Sequence, residues 1–105
     1  MTIHKVLEEA VAAQQAGKYS DAVRLYGIVL GEQPGNAIAN YNLGVLSVEI
    51  ESLPTALTLF RNAIDSNRGE KQYWVSYIDA LLKDGQFEKA NCAAKEALEN
   101  GISVT

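Results

Sequence analysis

Covalent catalysis needs a reactive side chain with a second group to activate it, and metal binding needs several ligands at fixed spacing. The 105 residues hold one histidine and one cysteine. His4 stands near the start of the sequence with no cysteine, histidine or carboxylate at ligand spacing, and reads as a solvated side chain. Cys92 lies among Ala90, Ala93 and Ala94 with no histidine to activate it, and reads as a small packing residue. Glu8, Glu9, Asp79 and Glu96 read as ordinary solvated helix charges. No glycine-rich loop follows a strand, so no nucleotide site is indicated. These residues point away from an enzyme, a metal and any cofactor. What they leave open is recognition.

The charge balance narrows what could be recognised. Thirteen acidic residues stand against nine basic ones, for a net charge of −4 and a pI near 4.9. Neutralising phosphates requires a basic stripe, and none exists, which argues against nucleic acid and against an anionic membrane surface. The opening residues, Met1 to Glu9, interrupt their apolar run with charge almost at once. They do not read as a signal peptide, and no run approaches the roughly 18 apolar residues of a membrane span. A lone cysteine makes no internal disulfide. The expected setting is cytoplasmic, and the expected architecture a single domain over residues 1–105.

Helical periodicity and turn residues divide the chain into six helices. The first spans Ile3 to Ala16, with Val6, Ala10 and Ala13 on one face, and stops at Gly17. Tyr19 follows as a hinge aromatic. The second runs from Ser20 to Gly31, with Ser20 or Asp21 as its cap and Ala22, Tyr26, Val29 and Leu30 inward. Gln33-Pro34-Gly35 breaks the chain, and Asn36 is placed to cap a third helix from Ala37 to Glu49. Gly44 in mid-helix costs up to about 1 kcal/mol relative to alanine, so a close approach of the partner helix is the expected reason for it. The fourth helix begins near Pro54, a residue tolerated in a first turn, and carries Ala56, Leu57, Phe60, Ala63 and Ile64 inward. The fifth spans Lys71 to Lys83, with Trp74, Tyr77, Ile78 and Leu81 inward. The sixth spans Glu88 to Asn100.

These helices repeat with a period of 34. Ala22, Ala56 and Ala90 share one register, Ala63 and Ala97 another, and Ala10 and Gly44 a third, while Tyr26 matches Phe60. Three units result, at about residues 3–36, 37–70 and 71–104. Paired helices at this period resemble the tetratricopeptide repeat family over nearly the whole chain. The resemblance implies an all-α, right-handed superhelical array of three antiparallel helix-turn-helix repeats. It also implies a protein-interaction scaffold whose first, third and fifth helices line a concave groove. Departures are local. Glu51 stands where the other units have Gly17 and Gly85, so that turn is expected to differ. Ala94 replaces the aromatic of Tyr26 and Phe60, with Trp74 as the candidate to fill the volume.

The implied groove has an apolar floor of Leu7, Val11, Ile38, Tyr41, Val45, Val48 and Val75, with Gln72 beside it and Asn42, Ser76 and Asp79 as polar handles. A helical or extended peptide would lay apolar side chains there, with Tyr41 the best anchor because aromatics dominate binding hot spots. The competing reading is that these residues only pack the groove helices together. Family members that grip the carboxylate of chaperone tails use cations and asparagines. The corresponding positions here hold Leu7, Val11, Gln72 and Ser76, and only Asn42 matches, which disfavours that ligand. The stretch Tyr73 to Leu81 resembles repeats that precede bacterial glycosyl-, sulfo- or methyltransferase domains, so an alternative is a recruiting or oligomerising segment of such an enzyme. Because Ile102 to Thr105 is too short for a covering helix, Trp74, Ile78, Leu81 and Leu98 are expected to stay partly open and to permit homo-oligomers.

Overall fold

The computed structural model describes residues 2–104. Six helices follow one another: α1 (Ile3–Gln15), α2 (Tyr19–Glu32), α3 (Ala37–Glu49), α4 (Leu53–Ser66), α5 (Lys71–Lys83) and α6 (Phe87–Glu99). They pack as the pairs α1–α2, α3–α4 and α5–α6, and each pair stacks on the next through α2–α3 and α4–α5. The result is the all-α array that the 34-residue period predicts.

The ends of the helices show how local chemistry sets them. Thr2 and Asn36 accept hydrogen bonds from the amides of Lys5 and Ala39, at 3.2 and 2.9 Å, and so cap α1 and α3. The second helix of each pair starts differently. Lys18, Ser52 and Gln86 precede α2, α4 and α6 without a side-chain cap bond. The expected cap from Ser20 or Asp21 is therefore corrected, because Tyr19 has already joined the helix and both residues fall inside its first turn. The turns within pairs are instead closed by backbone bonds, Lys18 N to Ala13 O at 2.9 Å, Ser52 N to Ser47 O at 2.8 Å and Gln86 N to Leu81 O at 2.8 Å. Each needs a left-handed residue just before its donor, supplied by Gly17, Glu51 and Gly85 at φ 75°, 60° and 74°. The second of these turns thus does not differ from the others, as its sequence suggests it should. Glu51 adopts the conformation of the glycines.

The core alternates small and large residues. Ala10, Ala22, Ala56, Ala63 and Ala97 are fully buried and let Tyr26, Phe60 and Trp74 fill the space between helices. At Gly44 an added Cβ would lie 2.6 Å from Phe60 Cε1, so the glycine is what admits that ring. Among the described residues, two buried polar side chains escape the apolar pattern. Asn40 donates to the carbonyls of Pro34 and Asn36, both at 3.0 Å, and pins the α2–α3 turn. Ser47 donates to the Leu43 carbonyl at 2.9 Å.

Three further expectations are corrected. Trp74 and Leu81 are closed rather than open, because Ile102 and Val104 fold back onto the cluster of Trp74, Tyr73 and Ala97, and Leu81 packs with Ala90 and Ala93. Leu98 remains exposed. Cys92 points to solvent, since the inward stripe of α6 passes through Ala90, Ala93 and Ala97. Glu96 is not an ordinary solvated charge. It receives both arms of Arg61, at 2.9 and 2.6 Å, and Arg68 at 3.2 Å, while Asp65 pairs with both arginines. Hydrogen bonding from Arg61, followed by that from Arg68, holds the Glu96 carboxyl down at about 2. The Arg61 guanidinium also lies 5.9 Å from the Trp74 ring centre, so the network clasps the second and third pairs together.

Candidate functional site

The first helices of the three pairs, α1, α3 and α5, present one face with two concavities. One lies between the C-terminal half of α3 and α5 and has a volume of about 310 Å³. Tyr41, Val45, Val48 and Glu49 line it from α3, Ser76, Asp79 and Ala80 from α5, and Phe60 from α4. The other lies between α1 and the start of α3, at about 300 Å³, and is lined by Leu7, Glu8, Val11, Ala12, Gln15 and Ile38. Ile38 and Val45 are seven residues apart on α3, so the two hollows are centred on the order of 10 Å apart along that helix.

Helical spacing explains the first hollow. Val45 and Val48 lie three residues apart on α3 and pack against the Phe60 cluster while keeping part of their surface open. Phe60 belongs to the outer helix, and its side chain reaches the groove face over the bare Cα of Gly44. Tyr41 is tied into the wall. Its hydroxyl shares a 2.8 Å hydrogen bond with Ser76, its ring stacks on Tyr73 with centres 4.8 Å apart, and Phe60 lies 5.5 Å away. Ser76 also accepts from Gln72 at 3.3 Å. Two of the residues named from sequence, Tyr41 and Ser76, thus bond to each other across α3 and α5.

The remaining candidates divide. Leu7, Val11 and Ile38 meet in the second hollow, and Ile38 is half exposed there. Asp79 sits on the rim of the first, paired with Lys83 at 3.4 Å. Val75 is half-buried and Gln72 exposed, and neither lines a hollow. Asn42 turns toward the Tyr26 hydroxyl, which in turn donates to Gln14 at 2.5 Å. Burial raises the Tyr26 hydroxyl above its ordinary range, and its hydrogen bond with Asn42 draws it partly back. Phe60, Ala80 and Ala12 line the hollows without having been candidates from the sequence. The pairing of Gly44 with a large ring one helix on is the signal that could have found Phe60.

The two hollows are acidic at their edges. Glu8, Glu49 and Asp79 line the two hollows, and no lysine or arginine does. His4 is correctly read as exposed, but it does have a carboxylate at helical spacing, with Nε2 2.7 Å from Glu8. Among the described residues no group of three or more His, Cys, Asp or Glu could hold a metal ion. No described helix is long and apolar enough to cross a membrane.

A tetratricopeptide repeat family model matches residues 7–70. No curated protein matches the chain. Among solved structures, a mutant of Thermobaculum terrenum O-GlcNAc transferase is 32% identical, with a TM-score of 0.80 over 92% of this chain and 19% of that one. The MamA protein superposes with a TM-score of 0.85 at 18% identity, covering 93% of this chain and 54% of its own. The first TPR of Spaghetti, bound to the HSP90 peptide SRMEEVD, superposes with a TM-score of 0.81 at 18% identity, covering 92% and 77%. At 18% identity the last two are likenesses of fold. The chain spans about a fifth of the transferase and about half of MamA.

Proposed function

Because the chain belongs to the tetratricopeptide repeat family, whose fold serves in general as a scaffold for protein–protein interaction, we propose that it binds a peptide or helical segment of a partner along the face of α1, α3 and α5. The observation that carries this reading is the pair of apolar-lined hollows on one face, one floored by Val45, Val48 and Phe60 and the other by Leu7, Val11 and Ile38. Apolar side chains set into both would bury surface at roughly 25 cal/mol per Å². Their separation along α3 suits anchors about seven residues apart on a helix or about three apart on an extended strand. Tyr41 serves this face as wall, since its hydroxyl is engaged with Ser76.

The test is affinity capture from cells of the source organism, comparing the native protein with Val45→Glu and Ile38→Glu. Val45 is half-buried, so circular dichroism must show that variant folded. Ile38 is half exposed and provides the safer second probe. A partner retained by the native protein and lost from both folded variants supports the groove. Equal capture by all three overturns it.

A second reading is favoured by the 32% identity to the transferase over 92% of this chain. On that reading the three repeats recruit a substrate or oligomerise a larger enzyme of glycosyl-, sulfo- or methyltransferase type. Sequencing the natural reading frame on both sides of these residues decides it, and a frame encoding no transferase domain rules it out.

A further inference from the structure

The hollows along α1, α3 and α5 are apolar in their floors, yet every charged group lining them is a carboxylate. Glu8 borders the hollow of Leu7, Val11 and Ile38, while Glu49 and Asp79 border that of Val45 and Val48. Two of the three have neighbours that only loosely hold them. Asp79 meets Lys83 one turn along α5 at 3.4 Å, with both side chains more than half exposed. Glu8 meets His4, again on one exposed helix face. Exposed pairs of this kind are worth at most about 1 kcal/mol and are readily exchanged for a better partner. The chain's strongest ion cluster, Arg61 and Arg68 with Asp65 and Glu96, clasps the outer helices, so its two arginines offer nothing to these carboxylates.

Resting on the groove reading above, we infer that the occupant is a cationic amphipathic peptide. Its apolar side chains enter the two hollows, and lysine or arginine beside them meets Glu49 and Asp79 at one end and Glu8 at the other. An acidic segment would bring like charge to all three carboxylates, in a protein whose net charge is already −4. The preferred charge is thus opposite to that of the acidic HSP90 peptide on the Spaghetti repeats, whose likeness to this chain is one of fold.

The experiment is selection of a displayed library of random twelve-residue peptides on three proteins: the native chain, Val45→Glu, and the double variant Glu49→Gln, Asp79→Asn. A fourth protein, Glu9→Gln with Glu32→Gln, makes the same change in net charge on the α1–α2 face away from the groove. The expected result is enrichment on the native chain of peptides with Lys or Arg within two positions of large apolar residues, and its loss on Val45→Glu. A labelled peptide from that pool should bind the Glu49, Asp79 double variant about three- to tenfold more weakly at low salt, with the difference shrinking at high salt. The Glu9, Glu32 variant should bind it as the native chain does. Enrichment of neutral or acidic peptides that is still lost on Val45→Glu overturns the inference and leaves the groove reading standing. Equal weakening by both double variants overturns the assignment to Glu49 and Asp79. No enrichment, or enrichment indifferent to Val45→Glu, overturns the groove reading together with the inference.

Discussion

At Gly44 and Phe60 the packing of one side chain depends on the absence of another. A methyl at Gly44 would sit 2.6 Å from one ring carbon and 2.7 Å from its neighbour, both in a ring that is itself fully enclosed. Gly44→Ala gains helix propensity but must displace that ring, so we expect a net loss of about 1–3 kcal/mol in urea unfolding and a reshaped hollow beside Val45. The close approach at Gly44 was legible, since an interior helical glycine asks for a reason. That Phe60 also lines the hollow beside Val45 is legible only once that ring is matched to Gly44, because its position on the outer-helix stripe says only that it points inward. At Glu51 the sequence misleads for the opposite reason. Residue preference favours glycine in that turn, but the Ser52 to Ser47 backbone bond holds the turn closed whatever occupies it. Glu51→Gly removes a left-handed side-chain penalty of about 1–2 kcal/mol and loosens the unfolded chain, so a net gain of about 0.5–1 kcal/mol should appear as a higher melting temperature.

Between elements, the α4–α5–α6 junction is held by a network that local pattern cannot reveal. Arg61 and Glu96 are 35 residues apart, one repeat plus one residue, and Glu96 has no cation three or four places away on its own helix. Helix limits, by contrast, fell within a residue or two of expectation, because caps and turn glycines act over only a few positions. The Glu96 carboxyl is lowered from 4.5 to about 2 in the folded chain, with Arg61 the main cause. Its stabilising effect is therefore full above about pH 4.5 and lost as pH falls toward 2. Relative to the native chain, Glu96→Gln should cost about 1 kcal/mol near pH 7, a modest figure because a third of the side chain remains wet. The two proteins should converge in urea midpoint near pH 2. A gap that persists unchanged at pH 2 would show that Glu96 acts through packing rather than charge.

Over the whole molecule the array measures 41 × 26 × 20 Å, and each helix pair packs only on its neighbours. Such arrays need their end units covered. At the third unit Ile102 and Val104 lie on the Trp74 cluster, a role that helical periodicity conceals because these residues belong to no helix. Ile102→Ala with Val104→Ala should cost about 2–3 kcal/mol, read by chemical denaturation. The period of 34 makes the array itself legible, whereas the acidic edges of the two hollows depend on which helix faces converge. Trp74 is the chain's one tryptophan, fully enclosed, with its indole N–H donating to the Arg68 carbonyl at 2.9 Å. The molecule therefore carries an optical reporter confined to its last unit. Indole emission follows the opening of that unit, whereas far-ultraviolet ellipticity sums all six helices. The distance between the two melting curves would measure directly how strongly one repeat communicates with the next.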